Sequence, residues 1–213
     1  MVATREQLCE TIHQEIDRLP VFKTKPTSIS TVPKDGIYFW YEDGEMRMGN
    51  RGQRVTRVGI NERPGRLHGR IKEHYGQNRE GSTFRKHLGG ALLAKDGEPE
   101  SEIKEWYRAR RSARFKDSKF CKYEGLVTQQ AELGSYRVLK VTSISEREEL
   151  EERLIAIFSH CSHCSPSDSW LGTHAYRNEI RLSGLWNVEY VCSTNEFQNQ
   201  DLLRLRKRVR LAR

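Results

Sequence analysis

The chain contains no apolar run that approaches the length of a membrane span, and it is short of the residues that build a large core. Of its 213 residues 36% are hydrophobic and 31% charged, with a mean hydropathy of -0.79. That balance predicts one domain with appendages, or two small ones, under a wide polar surface. The opening "MVATREQLCETIHQEIDRL" lacks the basic-then-apolar order of a signal peptide, and an intracellular, cytoplasmic protein is expected. Cysteine is scarce and odd in number: Cys9, Cys121, Cys161, Cys164 and Cys192 have no framework spacing, which excludes a secreted disulfide scaffold and leaves thiols as the expectation. Acid is also in deficit, with 29 Asp and Glu against 37 Lys and Arg, a net charge of +8.

The basic excess is uneven. "KEWYRARRSARFKDSKFCK", residues 104–122, sets eight cations against Glu105 and Asp117, and the tail "LLRLRKRVRLAR" carries six more. Fields of this kind concentrate polyanions, so nucleic acid is the first partner to consider, against the plainer reading of a solvated face. Arg108, Arg110, Arg111 and Arg114 are the candidate contacts in the insert, and Arg204, Lys207 and Arg208 in the tail.

Periodicity predicts a helix over 4–18, with Thr4 as N-cap and Leu8, Ile12, Ile16 and Leu19 as its stripe. A Pro- and Ser-rich loop leads to a strand at 36–42 and a second at 54–60, paired antiparallel. Helices are expected at "GRLHGRIKEHYG", "STFRKHLGGALLAK" and "SEIKEWYRARRSAR", then a strand at "SYRVLKVT". The next helix, "SEREELEERLIAIFSH", is given a capping box of Ser145 and Glu148 and a core stripe of Leu150, Leu154, Ile157 and Phe158. The closing segment reads as loop with a short helix and a strand-like apolar end. In the first strand, Tyr38 and Trp40 alternate with Ile37, Phe39 and Tyr41, so bulky rings occupy both faces. Either the strand is central and covered twice, or one row of rings serves a site.

Gly36-Ile37-Tyr38, Val58-Gly59 after the second strand, "RIKEHY" at 70–75, "LEERLIAI" at 150–157 and "SGLWNV" at 183–188 occur in that order. Together they resemble the GIY-YIG endonuclease superfamily across roughly residues 34–192. The resemblance implies an α/β fold with a small antiparallel sheet, about three-stranded, flanked by helices, and metal-dependent hydrolysis of DNA phosphodiesters. Residues 1–33 then form an N-terminal helix and loop, 34–192 the nuclease domain with its basic insert near 100–122, and 193–213 a basic helix. One departure is plain: Arg57 stands where the family's second tyrosine is expected.

Hydrolysis of a phosphodiester needs an activated water, charge for the phosphorane oxygens, and help for the leaving alkoxide. On the family's pattern Glu151, rather than Glu152, is the ligand of Mg²⁺ or Mn²⁺, and Arg70 the phosphate clamp. Tyr38 or His74 handles the proton, and Asn187 orients Glu151 or the phosphate. Gly36 is expected to face Gly59, which sets Arg57 opposite Tyr38 as its tuner or as a second clamp. On this reading Tyr38 and Trp40 belong to the substrate face; the competing reading makes them core rings under a helix. Double-stranded DNA is the expected partner, with specificity drawn from residues 61–135 or from a homodimer, and with a restriction or defence role favoured over repair. The alternative is a nucleic-acid-binding protein that kept the fold and lost turnover.

"HCSHC", residues 160–164, also admits a zinc reading through His160, Cys161, His163 and Cys164. Adjacent residues cannot wrap one tetrahedral ion, so a distant pair is required, with Cys121 and Cys192 as candidates; reduced thiols at a helix end are the favoured reading. In the tail, Leu202, Leu205 and Val209 lie opposite the cations, a stripe that docks on the domain or on a membrane surface; a DNA backbone clamp is preferred.

Overall fold

The computed structural model describes residues 3–23, 25–27, 31–49, 51–108 and 118–212. Among these, three strands and eight α-helices follow in the order α1 (Arg5–Ile16), β1 (Gly36–Tyr41), β2 (Arg57–Ile60), α2 (Leu67–His74), α3 (Thr83–Lys95), α4 (Glu100–Arg108), α5 (Ser118–Leu133), β3 (Ser135–Lys140), α6 (Ile144–Ser159), α7 (Asn178–Ser183) and α8 (Asn199–Leu211). The sheet order is β2-β1-β3 and both pairings are antiparallel. This is the α/β class expected, with the sheet between two helical layers. No helix among the described residues is long and apolar enough to cross a membrane.

The two rows of rings on β1 follow from its central place. Ile37, Phe39 and Tyr41 pack against Ile12 and Ile16 of α1, Leu154 and Phe158 of α6, and Leu205 and Val209 of α8. Tyr38 and Trp40 pack under Leu67 and Ile71 of α2, Phe84 of α3 and Val127 of α5. Both faces are closed, and every residue of β1 is buried. The expected substrate-facing row is therefore corrected for both rings: Tyr38 is fully buried, and Trp40 stacks on Tyr136 at 5.9 Å and meets Phe84 edge-on inside the core, which is the competing reading of core rings under a helix.

The register also differs from expectation. Tyr38 pairs with Gly59 and Trp40 with Arg57, two residues away from the arrangement that aligns the glycines. The physical reason lies at Gly59, where a Cβ would come within 2.4 Å of the Tyr38 hydroxyl oxygen. The phenol ring lies across this position because nothing projects from it.

Helix α1 begins at the Thr4 capping box, as the sequence implies. Helix α6 begins two residues earlier than expected, with Ser143 rather than Ser145 as the N-cap accepting from the Glu146 N–H. Its stripe Leu150, Leu154, Ile157 and Phe158 is buried. Helix α5 had no counterpart in the periodicity reading, although Phe120, Tyr123, Val127 and Ala131 recur at helical spacing and all are buried. Its Glu124 takes Arg79 at 3.0 Å and Arg85 at 2.6 Å, and Arg85 donates to the His74 carbonyl at 3.0 Å, which fixes the end of α2. The closing segment forms no strand among the described residues. Instead Trp186 N–H donates to the Thr56 carbonyl at 2.8 Å, so this segment lies along the free edge of β2.

Candidate active site

The site grows out of β2. Arg57, paired across the strands with Trp40, carries its side chain on the same face of the sheet as Tyr38. Its Nε donates to the Tyr38 hydroxyl at 3.0 Å and its Nη1 to the Trp186 carbonyl at 2.8 Å, with the guanidinium 5.3 Å from the Phe84 ring centre. The Tyr38 hydroxyl is also 2.8 Å from His74 Nε2, and His74 Nδ1 is 2.8 Å from Ser82 Oγ. Burial first, then the charges of Arg57, Arg70 and Arg85, hold His74 well below the usual imidazole range. The Tyr38 hydroxyl already accepts from Arg57 and the Ser82 hydroxyl from the Arg85 N–H, so the imidazole bridges two hydroxyl groups that are each held from the other side. Arg57, Tyr38, His74 and Ser82 thus form one buried hydrogen-bonded chain.

In front of this chain opens a cleft of about 440 Å³, lined by Arg57, Gly59, Arg70, Glu151, Asn187 and His87 among others. Glu151 enters from the middle of α6. Its carboxyl is pushed up to about 7, chiefly by burial, with Glu189 and Glu62 adding to the rise while Arg57 and Arg70 oppose it. Among the described residues it has no hydrogen-bonded or ion-paired partner. The adjacent Glu152 is different, since it accepts from Ser193 Oγ and Asn195 Nδ2, each at 2.7 Å. Arg70, on α2, is partly exposed, with Nη1 at 3.3 Å from the Gly81 carbonyl and 3.6 Å from Glu73.

Asn187 lines the same cleft but spends its amide on the sheet. Its Oδ1 accepts from the Val58 N–H at 3.1 Å and its Nδ2 donates to the Val58 carbonyl at 2.9 Å. The side chain acts as a one-residue strand on the edge of β2. Of the six residues picked from sequence, Arg57, Arg70, Glu151 and Asn187 share the cleft, whereas Tyr38 and His74 lie fully buried behind its floor.

His87 went unnoticed in the sequence. It sits on the buried side of α3, its Nδ1 3.1 Å from the Tyr107 hydroxyl, and burial with Arg57 and Arg177 pushes it down to about 3. The signal available was its place four residues after Thr83, which lines the cleft with it. A lone histidine in a helix carries no signal stronger than that. Arg63, Arg66 and Lys72 were also missed; all three are exposed on the segments that carry Glu62 and Arg70.

Of the candidate nucleic-acid contacts, Arg108 is exposed at the end of α4, and Arg110, Arg111 and Arg114 lie outside the described residues. Arg204 is paired with Glu149 at 3.2 Å, Arg208 with Glu146 at 2.8 Å, and Lys207 is exposed. The tail therefore directs two of its cations at α6 because its apolar stripe docks there. For the "HCSHC" stretch, His160 is exposed, His163 Nδ1 lies 2.8 Å from Arg51, and Cys121 and Cys192 are exposed. Neither Cys121 nor Cys192 is the distant pair; Cys161 and Cys164 instead turn into the core beside α1.

A three-stranded α/β domain with a basic and acidic cleft beside the second strand is the frame these observations define. The family model described as GIY-YIG domain matches residues 6–212, and the chain belongs to that family. It is a family of nucleases, whose members generally use divalent metal ions. The match takes in α1 and α8, which the five sequence pieces leave aside. Among curated proteins and among solved structures there is no significant match.

Proposed function

We propose that the cleft is the active site of a divalent-metal-dependent endonuclease acting on double-stranded DNA. The observation that carries this reading is Glu151, a carboxylate without a protein partner in a cleft shared with Arg57 and Arg70. Burial and the charges of Glu189 and Glu62 disfavour its ionised form, which is the condition a hard cation relieves. The donor set fits Mg²⁺ or Mn²⁺ held by this one carboxylate, with Glu62 and Glu189 adding charge nearby, and such an ion supplies charge for the phosphorane oxygens and the leaving alkoxide.

The chain's own groups do the rest. Arg70 clamps the phosphate. Arg57, anchored on Tyr38 and on the Trp186 carbonyl, turns its remaining N–H groups to the developing negative charge. Tyr38, expected to take the proton, is buried behind the floor beside a histidine held neutral, and serves instead to anchor Arg57, with His74 and Ser82 bracing its hydroxyl. Asn187 keeps β2 in place, so that Arg57 and Gly59 hold the floor of the cleft.

DNA is received by exposed Arg63, Arg66 and Lys72, on the segments that carry Glu62 and Arg70 of the cleft, more than by the tail, whose Arg204 is held by Glu149 at 3.2 Å. Target choice falls to the α2–α5 layer or to a homodimer, and we favour restriction or defence as the role. A cytoplasmic location suits five cysteines that form no disulfide.

The test is supercoiled plasmid with purified protein and Mg²⁺. Nicking that chelator abolishes and Mn²⁺ restores supports the enzyme. Salt-sensitive binding without any cleavage supports the binding-only alternative.

A further inference from the structure

At the far end of α6 from the cleft, a second constellation has no part in phosphodiester chemistry. Cys9 and His13, four apart on α1, present their side chains on one helix face. Cys161 and Cys164 come from the turn that follows α6, where the Cys164 N–H donates to the Cys161 carbonyl at 3.0 Å. All four are buried. Cys9 Sγ lies 3.5 Å from Cys164 Sγ, and His13 Nε2 lies 3.3 Å from the same sulfur. Ligand atoms of Cys9, His13 and Cys164 are all within 4.8 Å of one another, and the Cys161 thiol, outside that set of three, lies against those of both other cysteines as the nearest candidate for the fourth position.

We propose that Cys9, His13, Cys161 and Cys164 form a structural zinc site that staples the N-terminal helix to the end of α6.

Distances decide between three readings of the cluster. A disulfide requires sulfurs about 2.05 Å apart, and these are separated by 3.5 Å. Chance packing of small apolar thiols gives no reason for three sulfurs and an imidazole to converge from elements 152 residues apart in sequence, as Cys9 and Cys161 are. Around tetrahedral Zn²⁺, with bonds of about 2.3 Å to sulfur and 2.0–2.1 Å to nitrogen, the edges come to roughly 3.7 Å for sulfur to sulfur and roughly 3.5 Å for sulfur to nitrogen. The observed 3.5 and 3.3 Å are those edges to within a few tenths of an ångström.

The surroundings agree. Three thiolates and a neutral imidazole around a dication leave one net negative charge. Arg47, buried beside the cluster and paired with Glu10 at 3.6 Å and Asp17 at 3.4 Å, sets a cation against it. Soft sulfur-rich tetrahedral sets of this composition favour zinc over the hard ions suited to Glu151. The distant pair that "HCSHC" needs is thus Cys9 and His13, from the first helix, with His160 and His163 outside the set.

Elemental analysis of the full-length protein, purified without chelator, is expected to find one zinc per chain. Exchange for Co²⁺ is expected to give the strong visible bands of a tetrahedral ion together with thiolate-to-cobalt charge transfer. Cys9→Ser and Cys164→Ser should lose the metal, whereas Cys121→Ser, Cys192→Ser and His160→Ala should keep it. Stripping zinc from the wild type should lower Tm by about 10 °C or more, restored on re-addition. If the serine variants fail to fold, the wild-type cobalt spectrum decides alone. Wild-type protein with no zinc above background and no tetrahedral cobalt spectrum on loading overturns the proposal, as does zinc retained by both serine variants.

Discussion

The middle and the C-terminal end of α6 handle reactive side chains in opposite ways. Near the middle, Glu151 faces the open cleft and has no hydrogen-bonded or ion-paired partner among the described residues, although burial and like charge make its ionised form costly. Beyond its last turn, Cys161 and Cys164 are sealed among apolar residues against Cys9 and His13. The first arrangement holds a group in a strained charge state where an exchangeable ion can reach it. The second holds soft ligands where nothing exchanges readily, so its effect is on stability.

The comparison is broken most strongly by pH. Glu151 has a folded pKa near 7, above the ordinary carboxylate value of 4.5, so below neutrality it carries a proton and cannot hold a cation. At limiting Mg²⁺, single-turnover cleavage should therefore fall with decreasing pH below 7, by about tenfold per unit where one proton controls the rate. The sign of the stability effect is opposite to that of a paired carboxylate. Because the folded state holds the proton more tightly, the stabilisation is present in full below 4.5 and is lost as pH rises towards 7. Metal-free Glu151→Gln should accordingly match the wild type in Tm at pH 4 and melt higher at pH 8.

Next in size is the tail. Leu205 and Val209 are buried in the core that contains β1, so α8 is a structural element before it is anything else. Leu205→Ala should cost about 2–5 kcal/mol in denaturant unfolding. Removal of the whole tail should unmask that core rather than merely flatten the salt dependence of DNA binding.

Asn187→Ala breaks the clamp on β2. It leaves the Val58 N–H and carbonyl without their side-chain partners, a loss of about 1–3 kcal/mol. Hydrogen exchange at Val58 and its neighbours should quicken more than at β3, which distinguishes a local loosening of the cleft floor from a global loss.

The smallest effect is expected at Arg204. Its pairs with Glu149 and Asp201 are exposed on the arginine side, so Arg204→Gln should change stability by less than about 1 kcal/mol. DNA affinity should also change little, whereas Arg66→Gln and Lys72→Gln should each reduce the salt slope by about one.

Much of this architecture can be read from the chain because its cues are local. Thr4 and Gln7 start α1, and the stripe on α6 points to its core. The ordered pieces from Gly36 to Asn187 name residues that do converge on one cleft or on the chain behind it. What escapes the sequence depends on distance or on shape. The register of β1 and β2 turns on a ring lying over Gly59, a steric fact invisible in a spacing argument that aligns glycines. Asn187 looks like a site residue or a turn residue, and only the free edge of β2 shows why an amide belongs there. Cys9 and His13 lie inside an ordinary amphipathic helix, and nothing near them points to Cys161 and Cys164.

The account rests most heavily on Glu151, and single-turnover cleavage of one defined duplex by wild type and Glu151→Gln at saturating Mg²⁺ tests it most directly. Glutamine is nearly isosteric but a poor ligand for a hard cation, so the rate should drop by about a thousandfold or more while DNA affinity stays within a few-fold. Glu152→Gln, which loses only its contacts to Ser193 and Asn195, should stay within a few-fold of wild type. A Glu151→Gln enzyme that cleaves at the wild-type rate would contradict the assignment of this cleft.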